Sequence, residues 1–139
     1  METVEPRVLE FRIPADTRYI AIVRRGVRSL AESVGFTGEA VSDMEVAVSE
    51  AVTNSVEHGS SDPGSGAVLV KCSASSDRVG VEVEDEAHAD ASLQEQPRSD
   101  PYRERGRGIT MMRTLMDEFE DIRTENGMRV RMAKQRGRR

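Results

Sequence analysis

The chain has 139 residues, the length of one ordinary domain, and 37% of them are hydrophobic, which is enough for one modest core. The net charge of −5 argues against general nucleic-acid binding, the single cysteine excludes an internal disulfide framework or a zinc cluster, and no apolar run reaches the roughly 18 residues of a membrane span. The charged N-terminus shows no signal peptide, so we expect one cytoplasmic α+β or α/β domain without direct contacts to nucleic acid or membrane.

The chain opens with a predicted strand and helix. Residues 9–13 alternate between apolar and charged side chains and stop at Pro14, which is typical of an edge strand. The helix that follows can be capped by Asp16 or Thr17, has apolar residues at spacings of three and four, and ends at Gly35.

A second helix and a β-hairpin are predicted next. The helix runs from about Thr37 to about Glu57 and has one apolar stripe, and a turn-rich connection follows it. Two strands of alternating pattern, 68–74 and 79–83, are joined by a short polar turn. Residues 86–107 lack periodicity and contain two prolines, which predicts a long loop of the functional or disordered kind.

The last part of the chain predicts a third helix and a second hairpin. The helix begins after Gly106-Arg107-Gly108, and the hairpin pairs residues 118–124 with 128–132 through a turn at Asn126-Gly127. The order β-α-α-β-β-loop-α-β-β predicts the α+β class, with a mixed, mainly antiparallel sheet and the helices packed on one face.

One domain is expected over residues 1–139, with an ordered core from about 9 to 132. Six basic residues and no acidic one lie in 127–139, so the rest of the chain is more acidic than the total charge shows. We expect residues 133–139 to form a frayed basic tail. A solubilising end and a contact to an acidic partner or nucleic acid both remain open for this tail.

Glu50 and Asn54 form the first candidate site, on the second helix. They are four residues apart, so they lie about 40° apart on one helix face, roughly opposite the apolar stripe. An asparagine oxygen is a hard ligand suited to Mg²⁺, and a glutamate can deprotonate a hydroxyl or a water. Spacing alone favours the plainer interpretation, two solvated positions on an amphipathic helix.

Two further candidates lie where elements meet. Asp85 ends a predicted strand, where a carboxylate can accept a hydrogen bond from a ligand amino group, although acidic residues often end strands. Gly106 and Gly108 precede a helix, where free N–H groups and the helix dipole can bind phosphate. This segment matches neither the dinucleotide fingerprint nor the Walker P-loop. Positive charge around it comes from Arg103, Arg105 and Arg107.

The order of these motifs resembles the GHKL ATPases, the superfamily of gyrase, Hsp90, histidine kinases and MutL. Within it, residues 49–59 and 106–118 resemble the small anti-sigma-factor serine kinases of partner-switching systems, the RsbW/SpoIIAB type. The resemblance extends from about Leu9 to Met132. It implies the Bergerat ATP-binding fold.

The resemblance also implies roles for individual residues. Asn54 would bind the Mg²⁺ that bridges the ATP phosphates, and Glu50 would be the base that activates the attacking hydroxyl. Asp85 would bind the adenine amino group, and Gly106 and Gly108 would line the phosphates. The loop 86–107 would be the ATP lid. The remaining residues implied at the ATP site are Ala87, Arg105, Arg107, Ile109 and Thr110.

The sequence departs from the family at the adenine motif. The family usually has Asp-x-Gly-x-Gly after the strand, whereas this chain has Ala87 and Ala89 at the glycine positions. If those positions need a positive φ, alanine is disfavoured by roughly 1 kcal/mol at each. This departure favours a second hypothesis, a protein of the same fold that binds ATP weakly or not at all.

We therefore expect a cytoplasmic anti-sigma factor with ATP-dependent serine kinase activity. By resemblance it would sequester a sigma factor, phosphorylate a STAS-domain anti-anti-sigma partner and form a homodimer. One alternative is a regulatory binding module of the same fold that is not catalytic or binds ATP weakly. Another is a stress-signalling switch kinase.

Overall fold

The computed structural model describes residues 6–59, 66–86, 106–124 and 127–136. Their order confirms the α+β class. The strands are β1 (Arg7–Pro14), β2 (Ala67–Ala74), β3 (Arg78–Asp85), β4 (Glu118–Thr124) and β5 (Gly127–Gln135). The helices are α1 (Ile20–Ser33), which follows a short turn of 3-10 helix (Thr17–Tyr19), α2 (Gly38–Asn54), which runs into a π-helical turn (Ser55–Gly59), and α3 (Gly106–Leu115).

The five strands form one sheet in the order β1-β2-β3-β5-β4, and every pair is antiparallel. The hairpins β2-β3 and β4-β5 were predicted from local pattern. The pairings of β1 with β2 and of β3 with β5 join segments far apart in the chain. Because β3 is the central strand, its last residue, Asp85, lies at the middle of one sheet edge.

The core lies between one face of the sheet and the helices. Alternate residues of β2, β3 and β5 are buried, and Val70, Val83 and Val130 are opposite one another in register. The apolar stripes of α1 and α2 are buried as predicted, and α2 packs between α1 and α3. No helix among the described residues is both long enough and apolar enough to span a membrane.

Two predicted boundaries were wrong. The Gly106-Arg107-Gly108 segment forms the first turn of α3 instead of a turn before it. Strand β5 continues to Gln135, so the predicted tail at 133–139 begins inside the sheet. The non-local ladder with β3 extends the strand, because Lys134 pairs with Val79. Residues 137–139 lie outside the described ranges.

Candidate functional site

The site is built at the end of α2, where the helix widens. Glu50 lies one turn before Asn54, the last residue of the helix. The π-helical turn starts at Ser55, whose N–H donates to the carbonyls of Ala51 and Val52. Such widened turns are frequent at functional sites, because they displace the following side chains from the regular helical positions.

Buried polar side chains also lie at this end of α2 and at the end of β3. The polar or charged residues that are buried in the described part of the chain are Asn54, Ser55 and Asp85, at 6%, 2% and 5% exposure. Spacing alone favoured a solvated Asn54, and that interpretation was wrong, because Gly108 of α3 lies against this end of α2. Glu50, on the same face, remains half-buried.

The first turn of α3 lies directly against this pair. A methyl group placed on Gly108 would lie 3.0 Å from Glu50 Oε1, 3.2 Å from Asn54 Nδ2 and 3.4 Å from Asn54 Oδ1. The first two distances are tighter than an ordinary van der Waals contact, so a side chain at this position would require Glu50 or Asn54 to shift. The structure thus brings Gly108 against two residues that precede it by more than fifty positions in the sequence.

Two buried polar atoms at this place lack a partner. Within the described residues, neither Asn54 Nδ2 nor Ser55 Oγ makes a hydrogen bond. A buried donor left unpaired costs about 1–3 kcal/mol, so a ligand that pairs with it gains that amount on binding. Asn54 Oδ1 is the kind of oxygen that Mg²⁺ takes when substrate phosphates and waters supply its other ligands. The residues present therefore fit a Mg²⁺–nucleotide ligand.

Asp85 lies at the sheet side of the site. It ends β3 on the helix-facing side of the sheet, opposite Val68 in register, and the π-helical turn packs against β3 and β5. A buried carboxylate at a strand end can bind a ligand amino group. The position agrees with the role expected for Asp85 from sequence, which stays a prediction.

The other predicted site residues divide into three groups. Ile109 is buried in the hydrophobic core, and Thr110 is exposed. Gly106 and Arg107 lie in the first turn of α3. Ala87, Arg105 and nearly all of the predicted lid, 86–107, lie outside the described residues.

Glu86, the described start of the predicted lid, is hydrogen-bonded to the edge strand β1. Glu86 accepts hydrogen bonds from Arg12 Nε at 2.8 Å and from Arg12 Nη2 at 3.0 Å. These hydrogen bonds lower the pKa of Glu86 below its ordinary value. Asp85 and Glu86 therefore point to opposite faces of the sheet, one toward the site and the other toward Arg12.

Ser55, next to Asn54, is a buried polar residue that the sequence did not predict as a candidate. Its position next to Asn54 was a usable signal, but its burial and its lack of a partner appear only in the tertiary structure.

A depression of about 620 Å³ lies elsewhere, on the open face of the sheet, lined by charged residues such as Lys71, Glu82 and Arg131. It contains none of the predicted site residues.

Comparison with known proteins identifies relatives over nearly the whole chain. Residues 13–134 match the family described as a histidine kinase-like ATPase domain. Over 135 residues the chain is 35% identical to the serine-protein kinase RsbW of Bacillus velezensis and 33% identical to that of Bacillus subtilis, each time covering 91% of this chain and 84% of the relative. Part of the crystal structure of the RsbU and RsbW domains of a Mycobacterium tuberculosis protein has the same fold, with a TM-score of 0.68 and 21% identity over 93% of this chain and 32% of that one.

Proposed function

Because the chain belongs to the histidine kinase-like ATPase family and, within it, to the RsbW serine-protein kinases, we propose that it is a cytoplasmic anti-sigma factor with serine kinase activity. It sequesters a sigma factor, and it uses Mg²⁺ and ATP to phosphorylate a serine of a STAS-domain anti-anti-sigma partner. It acts as a homodimer. The observation that carries the proposal is the close approach of Gly108 to Glu50 and to the buried, unpaired amide of Asn54.

Glu50 and the ATP substrate carry out the phosphoryl transfer. The Glu50 carboxylate accepts the proton of the partner's serine hydroxyl, and the serine oxygen forms a bond to the γ-phosphorus. The bond from that phosphorus to the bridging oxygen breaks, and ADP leaves with the electron pair. Glu50 is suited to this role because it is only half-buried and is therefore accessible to a second protein.

Asn54 and Asp85 hold the nucleotide. Asn54 presents Oδ1 to Mg²⁺ and Nδ2 to a phosphate oxygen, while Asp85 accepts a hydrogen bond from the adenine amino group. Mg²⁺, when bound, offsets the negative charge of the phosphates. Gly106 and Gly108 let the phosphates approach the N–H groups of the first turn of α3, whose dipole favours negative charge. Ala87, Arg105, Arg107 and Thr110 complete the site from the predicted lid and from α3.

Phosphorylation switches the partner. A phosphoserine adds about −1.5 to −2 charges to the STAS protein. The modified surface then meets the acidic carboxylates around the site, and the partner dissociates. The kinase is then available to hold the sigma factor.

The test uses the wild type and three variants with γ-labelled ATP, Mg²⁺ and a cognate STAS-domain protein. Asn54→Ala should abolish Mg-ATP binding in calorimetry with the fold intact. Glu50→Gln should bind the nucleotide normally but transfer no phosphate. Glu39→Gln, an exposed position on the same helix, is the control and should behave as the wild type. Transfer by Glu50→Gln at the wild-type rate would overturn the assignment of the base.

The second candidate is a binding module without kinase activity, and Ala87 and Ala89 are the observation in its favour. In that case Mg-ATP would neither raise the melting temperature nor yield labelled STAS protein, although the sigma factor would still bind. Restoring Gly at both positions should then strengthen ATP binding. A chain that transfers phosphate but retains no sigma factor in a pull-down would be a switch kinase.

A further inference from the structure

Two cations near the end of β5 each bind the C-terminal end of a different helix. Lys134 Nζ donates to the carbonyl of Leu115, the last residue of α3, and to Asp43 Oδ2 on α2 at 2.9 Å. Arg136 donates to the carbonyls of Val34 and Gly35, which follow α1, at 2.7 Å and 3.2 Å. Both cations lie in the stretch that sequence reasoning treated as a frayed tail.

Lys134 is placed between the helices by the strand alternation. It lies two residues after Met132, on the side of the sheet that faces the helices. Its side chain is 16% exposed and that of Asp43 is 21% exposed, so this ion pair is better shielded than a surface pair. The last carbonyls of a helix lack internal partners, and a cation there also interacts favourably with the helix dipole.

The contact with Lys134 is at the opposite end of α3 from the site. Helix α3 has ten residues and is therefore about 15 Å long, with Gly108 near one end and Leu115 at the other. Its buried side consists of Ile109, Met112 and the adjoining Met116. Methionine side chains are flexible and adapt to small shifts, so this packing holds α3 against α2 without strictly fixing its position along the helix axis.

We propose that Lys134 is a positioning residue for the nucleotide site. By joining Leu115 of α3 to Asp43 of α2, it fixes the axial position of α3, and with it the distance of Gly108 from Asn54 and Glu50. The inference rests on the proposed function, because it concerns the same ATP site. A misplacement of about 1 Å at such a site can reduce its activity by up to about 10²-fold.

The test compares Lys134→Met with Arg136→Met. Both variants remove a cation, Lys134 in β5 or Arg136 just after it, that binds the C-terminal end of a helix, but α1 carries none of the proposed site residues. Melting temperatures should fall in both. The dissociation constant for Mg-ATP, measured by calorimetry, should rise at least about tenfold in Lys134→Met and stay within about twofold of the wild type in Arg136→Met. Lys134→Arg, which keeps the charge and the donors, should restore most of the affinity.

Phosphate transfer to the STAS protein supplies a second measurement. At saturating Mg-ATP, Lys134→Met should still have a lowered kcat, because Glu50 is displaced relative to the phosphates. A loss of stability alone would lower the melting temperature without changing the Mg-ATP affinity of the folded fraction.

The outcomes separate the two proposals. If the wild type does not bind Mg-ATP, the proposed function fails. If the wild type binds and Lys134→Met binds equally well, the positioning role is overturned. Should Lys134→Met fail to fold, Asp43→Asn decides, because it weakens the same link and leaves the Leu115 carbonyl bonded. It should then weaken Mg-ATP binding about threefold, and unchanged binding would overturn the inference.

Discussion

Replacing Gly108 by alanine should change ligand binding far more than it changes stability. Alanine is favoured over glycine inside a helix by about 0.8–1.0 kcal/mol, which is the upper limit of the gain at Gly108 in the first turn of α3. Against this gain, the new methyl would lie 3.0 Å from Glu50 Oε1 and 3.2 Å from Asn54 Nδ2. The end of the half-buried Glu50 side chain can turn away at small cost, whereas Asn54 is buried and must shift with its surroundings.

The gain in helix propensity and the steric cost of the methyl group therefore nearly cancel in the unfolding free energy. We expect the unfolding free energy of Gly108→Ala, measured by urea denaturation, to stay within about 1 kcal/mol of the wild type. The methyl occupies the space in front of the Asn54 amide, so the Mg-ATP affinity measured by calorimetry should fall at least about tenfold.

Gly26→Ala is the matched control, because it is also a glycine inside a helix. A methyl on Gly26 would lie 2.5 Å from Phe11 Cζ and 2.9 Å from Phe11 Cε2, far from the site. Overpacking of this kind costs typically about 1–3 kcal/mol, so this variant should lose stability and keep its affinity for Mg-ATP. Wild-type Mg-ATP affinity in Gly108→Ala would contradict the placement of Gly108 at the nucleotide, and a loss of several kcal/mol of stability would contradict the expected cancellation.

Three further predictions concern the core, a buried thiol and the surface. Met44→Ala should lower the unfolding free energy, measured by urea denaturation, by about 2–5 kcal/mol, because Met44 is fully buried. The control Val46→Ala, on the exposed side of α2, should change it by less than about 0.5 kcal/mol in the same assay. Burial raises the pKa of Cys72 to about 12 from a usual value of 9.0, so above pH 9 the unfolded chain binds fewer protons than the native one. Stability should thus fall between pH 9 and 12 by up to about 1.4 kcal/mol per unit, a slope that Cys72→Ala removes in denaturation series at several pH values. The exposed Arg78–Glu118 pair, 2.7 Å apart, should contribute at most about 1 kcal/mol in a double-mutant cycle, and a larger coupling would contradict its exposure.

The local elements could be predicted because their causes are local. Alternation of apolar and polar residues predicts a strand wherever one face packs on a core, and β2 and β3 follow it. The three-and-four spacing in α1 buries Val23 and Val27 as expected. The order of Glu50, Asn54, Asp85 and the two glycines was also readable in sequence, and the comparisons confirm the family that this order indicated.

The sheet order could not be predicted from the residues alone. Strand β1 pairs with β2 across two intervening helices, and β3 pairs with β5 across the loop, α3 and β4. Such pairings depend on how the helices cover one face of the sheet. The same non-local pairing extended β5 beyond Met132, where a local pattern rich in basic residues suggested a solvated end.

Motif order in the sequence was enough to name the candidate site residues: a glutamate, an asparagine one turn later, a strand-end aspartate and a pair of glycines. The burial of Asn54 and Ser55, the contact of Gly108 with Glu50 and Asn54, and the link of Lys134 between α2 and α3 became visible in the folded structure alone. Periodicity reports how a residue is placed on its own element. Burial and contact depend on the neighbouring element, and at this site that neighbour is a helix that begins more than fifty residues later in the chain.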